Sequence, residues 1–171
     1  MTPAFDKVLV VGGTGMLADA SRWIAGHCNH LTLLARRPEA LAKELGATAV
    51  PIDWSGPDAT GRLSALPRDF DLAVSWLHDA AAFLARPIED CLKPGGRSIR
   101  VHGSRSADPH TRAARDPDPR PDVARQVVIL GWHPEPGDGQ RWLSNAEISA
   151  GVVAAIREPV FEALTIGGAS G

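Results

Sequence analysis

The stretch Gly12-Gly13-Thr14-Gly15-Met16-Leu17-Ala18 stands directly after the apolar run Val8-Leu9-Val10-Val11. Glycines at that point, where a strand turns into a helix, make a cradle for phosphate. Gly12 permits the tight turn, Gly15 lets the backbone approach a pyrophosphate, and Ala18 is small enough for close helix–strand packing. The helix start, Met16 and Leu17 included, offers unpaired N–H groups and the positive end of the helix dipole. The plainer alternative is a tight strand–helix turn with no ligand.

A second stretch, Ala35-Arg36-Arg37, closes the next apolar run, and the first carboxylate after it is Glu39. In a dinucleotide site an acid at this place binds a ribose 2′-hydroxyl, whereas arginine accommodates a 2′-phosphate. The cofactor this implies is NADP(H), with Arg36 and Arg37 on its 2′-phosphate. A solvated arginine pair at a helix start is the competing reading. Asp53, with Trp54 beside it, ends a third strand and is placed either to meet the adenine amino group or to cap a turn.

Histidines and a serine follow at the ends of later strands. His78 comes after the fourth, Ser104 after the fifth and His133 after the sixth. A histidine titrates near neutral pH and can give or take a proton. His78 and Ser104 are therefore the candidate reactive pair, Ser104 to bind a substrate oxygen or nitrogen and His78 to supply the proton. Taken singly, each histidine more often serves as a hydrogen-bonded structural residue. His102 lies inside the fifth strand, where alternation turns it away from the side of Val101 and Gly103. His27 and His30 are the closest-spaced histidines and read as cap or surface residues; no metal site is expected.

The elements that must position these groups alternate strand and helix, which predicts a parallel sheet covered on both faces. Strands are expected at Lys7–Val11, Leu31–Ala35, Ala47–Ile52, Phe70–Trp76 and Ser98–His102. Helices are expected at Met16–Gly26, Pro38–Gly46, Pro57–Leu66 and Asp79–Leu92, with Pro87 kinking or splitting the last. Lys93-Pro94-Gly95-Gly96 reads as a turn. Ala107–Asp122, rich in Pro, Asp and Arg, reads as a loop holding at most one helical turn. Beyond it, Ala124–Trp132 and Gln140–Leu143 are expected to pair as a hairpin around Pro134–Gly139. Ser144-Asn145-Ala146-Glu147 is a capping box for a last helix to about Glu158, with Ile148, Val152 and Ile156 on one face. Val160–Ile166 reads as a closing edge strand. The aromatics Trp54, Trp76, Trp132 and Trp142 fall at strand ends or in the hairpin, to wall a pocket or to fill the core.

Taken together, Gly12-Gly13-Thr14-Gly15, Ala35-Arg36-Arg37-Pro38, Ile52-Asp53-Trp54 and Val101-His102-Gly103-Ser104 resemble the short-chain dehydrogenase/reductase superfamily, in particular its atypical members. The resemblance covers about the first hundred residues. It implies a doubly wound Rossmann sheet of strand order 3-2-1-4-5-6, here followed by a hairpin and helix. It also implies an active site at the carboxyl ends of strands four to six. The chain departs from that family in its chemistry, which uses a Tyr and a Lys four residues apart after the serine. This sequence contains no Tyr, and its last lysine is Lys93.

A length of 171 residues suits one NAD(P)-binding domain spanning residues 1–171. The formal charge of -2 gives no electrostatic case for nucleic acid or an anionic membrane. No apolar run approaches the roughly 20 residues that span a bilayer. With its two cysteines far apart and read as plain thiols, the chain is expected to be cytoplasmic and to act on a small molecule, as a monomer or a homo-oligomer. Two functions compete. One is an NADP(H)-dependent oxidoreductase with a non-standard site, reducing a small carbonyl, imine or activated double bond. The other is a catalytically silent NADP(H)-binding sensor or regulatory module. A weaker third reading is a lyase or cyclase reusing the fold.

Overall fold

In a computed structural model, residues 2–104, 108, 110–112, 116, 118–159 and 163–168 are described. The strands β1 (Phe5–Val11), β2 (Cys28–Ala35), β3 (Thr48–Pro51), β4 (Phe70–Trp76), β5 (Leu92–His102), β6 (Ala124–Leu130) and β9 (Leu164–Ile166) form one sheet in the order β3-β2-β1-β4-β5-β6-β9. Every pairing within it is parallel. This is the doubly wound order expected, extended by β9. Residues 160–162 of the expected last strand lie outside the described residues.

The apolar runs are buried on both faces, as parallel strands covered by helices must be. Val8, Val10, Leu33, Leu72, Val74, Ile99, Val101, Val128 and Leu130 face one side. There they meet Leu17, Ala20 and Ile24 around α1 (Ala18–Ala25) and Ile148, Val152 and Ile156 of α5 (Asn145–Arg157). Leu9, Val11, Leu34 and Ala73 face the other side, under Ala59 and Leu63 of α3 (Ala59–Ser64) and Ile88 of α4 (Ala85–Glu89). Between β2 and β3 runs α2 (Glu39–Leu45), with Pro38 at its start and Gly46 in the left-handed conformation at its end. The capping box that opens α5 is complete: Ser144 Oγ accepts from Glu147 N at 3.2 Å and Ser144 N donates to Glu147 Oε2 at 2.7 Å.

Three boundaries differ from expectation for physical reasons. The segment expected as helix Asp79–Leu92 divides into a 3₁₀ helix, Asp79–Leu84, and α4. The break falls before Pro87, which then sits in the first turn of α4, where its missing N–H is no loss. Lys93-Pro94-Gly95-Gly96 does not precede β5 but bulges within it: Phe70 pairs with Leu92 and Leu72 with Arg97, so the register jumps across the four residues. The hairpin does not continue β6. Its arms are β7 (Trp132–Glu135) and β8 (Gly139–Trp142), with Trp132 opposite Trp142. Gly131 makes the break, because a Cβ there would stand 2.2 Å from the Gly168 carbonyl oxygen. The hairpin thereby forms a two-stranded sheet of its own.

Candidate active site

Every strand of the sheet points its carboxyl end to the same edge, so the loops after β1, β2, β3, β4 and β5 converge there. A cleft of about 640 Å³ runs along that edge, lined by Gly12, Thr14, Gly15, Met16, Arg36, Arg37, Trp54, Trp76 and His78. At one end it shares Arg36 with a depression bounded by Asp53, Ser55 and Arg62. At its other end it shares Trp76 and His78 with a cavity of about 490 Å³, walled also by Asp79, His102, Ser104 and Trp142. The three spaces adjoin one another through these shared residues.

Within the glycine loop the four positions divide their work. Gly12 has a φ of 77°, and a Cβ on it would lie 2.7 Å from the Trp76 carbonyl oxygen, so the turn requires glycine. Gly15 faces the cleft with nothing within 4 Å of a Cβ position, leaving its backbone open to a ligand. Close helix–strand packing falls to Gly13 rather than Ala18: a Cβ on Gly13 would meet Val10 Cγ1 at 2.4 Å and Ser21 Oγ at 2.7 Å. Leu17 is wholly buried in the core, so its side chain takes no part in the groove. From α5, Ser149 Oγ donates to the Met16 carbonyl at 2.9 Å and fastens the loop from behind.

Arg36 and Arg37 are exposed, and neither guanidinium has a hydrogen bond or ion pair among the described residues. Two like charges held side by side at the cleft suit an anionic ligand. Asp53 accepts from Ser55 N at 3.0 Å and from Ser55 Oγ at 2.6 Å, and these bonds, with the Arg36 charge, hold its carboxyl below the usual range. It caps a turn and borders the groove at once. Trp54 is half-buried, with its ring between the core and the cleft.

His78 and Ser104 line the same cavity, His78 exposed and Ser104 half-buried. The His78 ring stands edge-on to Trp76, with centroids 6.0 Å apart. His133 is not part of this wall; its Nδ1 lies 2.8 Å from the Pro134 carbonyl and its Nε2 3.7 Å from Glu147. Trp142, edge-on to Trp132 at 5.0 Å, closes the far side of the cavity. His27 acts as a helix cap, with Nδ1 at 2.7 Å from the Trp23 carbonyl and its ring stacked on Trp23. Among the described residues no three metal-ligating side chains come together.

The sequence pattern gave no sign of a cluster behind this wall. Arg100 and Ser75 are partners across β5 and β4, and Arg100 Nη1 donates to Ser75 Oγ at 3.0 Å. Arg100 also donates to Asp116 Oδ1, from Nε at 3.1 Å and from Nη2 at 2.6 Å. Asp116 Oδ2 lies 2.7 Å from His102 Nε2. All of these side chains are buried. Burial alone pushes the Asp116 carboxyl up, but the His102 hydrogen bond and the Arg100 charge outweigh it and hold the group at about 2. Further along the same loop, Arg120 Nη1 donates to the carbonyls of Glu89 at 2.8 Å and Leu92 at 3.0 Å.

Comparison with solved structures finds the same fold in several proteins of low sequence identity. A complex of BdcA with NADPH is 18% identical, covers 99% of this chain and 96% of its own, and superposes with a TM-score of 0.67. A short-chain dehydrogenase/reductase from Serratia marcescens is 14% identical, with 95% and 96% covered and a TM-score of 0.68. A short-chain dehydrogenase from Burkholderia cenocepacia in complex with NADP is 16% identical, with 96% and 97% covered and a TM-score of 0.61. No protein-family model and no curated protein matches the chain. Among the described residues no helix is long and apolar enough to cross a membrane.

Proposed function

We propose that the chain is an NADP(H)-dependent oxidoreductase acting on a small carbonyl, imine or activated double bond. Two adjoining spaces carry this reading: an open glycine loop and two exposed arginines line one, and histidines and a serine line the other. The residues present fit the cofactor. Backbone N–H groups from Gly13 to Leu17 would hold the pyrophosphate, and Arg36 and Arg37 the 2′-phosphate. Asp53 and Trp54 border the adenosine end. When bound, the nicotinamide supplies or accepts a hydride; orientation and proton transfer fall to the protein. Ser104 would bind the substrate heteroatom and His78 would exchange a proton with it. Both the BdcA and Burkholderia structures of the same fold hold this class of cofactor.

The absence of any tyrosine favours substrates that need less proton assistance than a ketone, namely imines and activated double bonds. It also supports the second reading, a binding module without turnover. A titration of tryptophan fluorescence with NADPH, followed by a screen of ketones, imines and enones for NADPH consumption, separates the two. Saturable binding with turnover supports the enzyme, binding without turnover favours the module, and no binding removes both.

A further inference from the structure

We propose that His102, clamped by Asp116, is a second proton-exchanging residue of the cavity, beside His78. The assignment rests on the oxidoreductase reading above and goes beyond His78 and Ser104. His102 stands on β5 with its side chain 6% exposed, and the residue lines the cavity beside His78 and Ser104. Its Nε2 lies on Asp116 at 2.7 Å, while among the described residues no hydrogen bond reaches Nδ1. An acceptor-only carboxylate on one ring nitrogen keeps the proton there and leaves the other nitrogen for a ligand.

Asp116 is itself fixed. Arg100 grips its Oδ1 twice, and Ser75 holds Arg100, so the imidazole is anchored through two strands of the sheet. Such an anchor differs from the setting of His78, which is exposed and held through no side-chain hydrogen bond among the described residues. The groups facing the His102 ring are Asp116 and Arg100 on one side and, across the cavity, His78 and Asp79. Reduction of a carbonyl then balances. Its carbon gains the hydride of the reduced nicotinamide dinucleotide, which leaves oxidised, and the C=O π pair moves to oxygen. That oxygen takes the Nδ1 proton of the imidazolium, and the neutral ring regains a proton from water.

The test uses the full chain and two readouts that need no substrate. Long-range ¹H–¹⁵N spectra, assigned with His102→Gln, are expected to show the neutral His102 ring protonated at Nε2 and bare at Nδ1. Diethyl pyrocarbonate is expected to modify His102 in the folded chain. A ring protonated at Nδ1, or one that reacts only after unfolding, overturns the proposal whatever the acceptor screen returns. With an acceptor from that screen, His102→Gln is expected to lower kcat by about 10²-fold or more with NADPH affinity unchanged. Asp116→Asn, as a positioning variant, is expected to lower kcat and flatten its pH profile. An unchanged kcat in His102→Gln also overturns the proposal.

Discussion

Ser21 Oγ donates a hydrogen bond of 3.0 Å to the Gly13 carbonyl, and the same oxygen stands where a Cβ on Gly13 would come within 2.7 Å of it. The first turn of α1 therefore rests on β1 through a residue that must lack a side chain, and the glycine loop inherits its position from that contact. Gly13→Ala is expected to overpack this junction and cost about 1–3 kcal/mol. Urea unfolding checks it. Stability equal to wild type would mean that the junction gives way freely.

Gly15 behaves differently, because the space around it is open. Gly15→Val should fold normally while losing dinucleotide binding, since the branched side chain would stand where a ligand must approach. Circular dichroism and a fluorescence titration read the two effects separately. A folded variant that still binds NADPH would refute the glycine-loop assignment.

Arg36 and Arg37 should set the choice of cofactor. NADPH is expected to bind at least about tenfold more tightly than NADH, equivalent to about 1.4 kcal/mol. Replacing both arginines by alanine should abolish most of that difference. Equal affinities for the two cofactors in the wild type would remove the 2′-phosphate role.

His78 and Ser104 should govern turnover but not binding. His78→Ala combined with Ser104→Ala is expected to lower kcat by about 10²–10⁴-fold at unchanged NADPH affinity. Steady-state kinetics with an acceptor from the screen decides this, and full retention of rate would clear both residues of a catalytic part.

Asp116 links the site to acid stability. Its folded carboxyl titrates at about 2, below the ordinary value near 4. The stabilisation is therefore complete above about pH 4 and is lost as pH falls toward 2. Asp116→Asn should cost about 3 kcal/mol at pH 7, because it leaves the buried Arg100 charge without its carboxylate. Unfolding curves at pH 7 and pH 2.5 should show the gap between variant and wild type closing in acid.

How much of this was legible in the sequence follows from how local each signal is. Phe70–Trp76 was readable to the residue, because a largely apolar run, here Phe, Leu, Ala, Val and Trp with Asp71 and Ser75 among them, is a property of the segment alone. Ser144 and Glu147 announced the start of α5 for the same reason. Gly12 and the arginine pair carry meaning through their place beside a strand. Asp116 carries none of that kind: it lies in a Pro- and Arg-rich stretch without periodicity, and its partners Arg100 and His102 are set by tertiary folding. The same limit hid the packing role of Gly13, which depends on Val10 and Ser21 meeting in space.

The two border strands of the sheet, β3 and β9, are four and three residues long, and β3 ends on Pro51, which has no N–H to donate. Short, proline-stopped margins give a neighbouring chain almost no ladder to extend. A sheet finished in this way discourages stacking side by side into fibrils, and it directs any self-association to the helical faces or to the hairpin that carries the exposed Trp142.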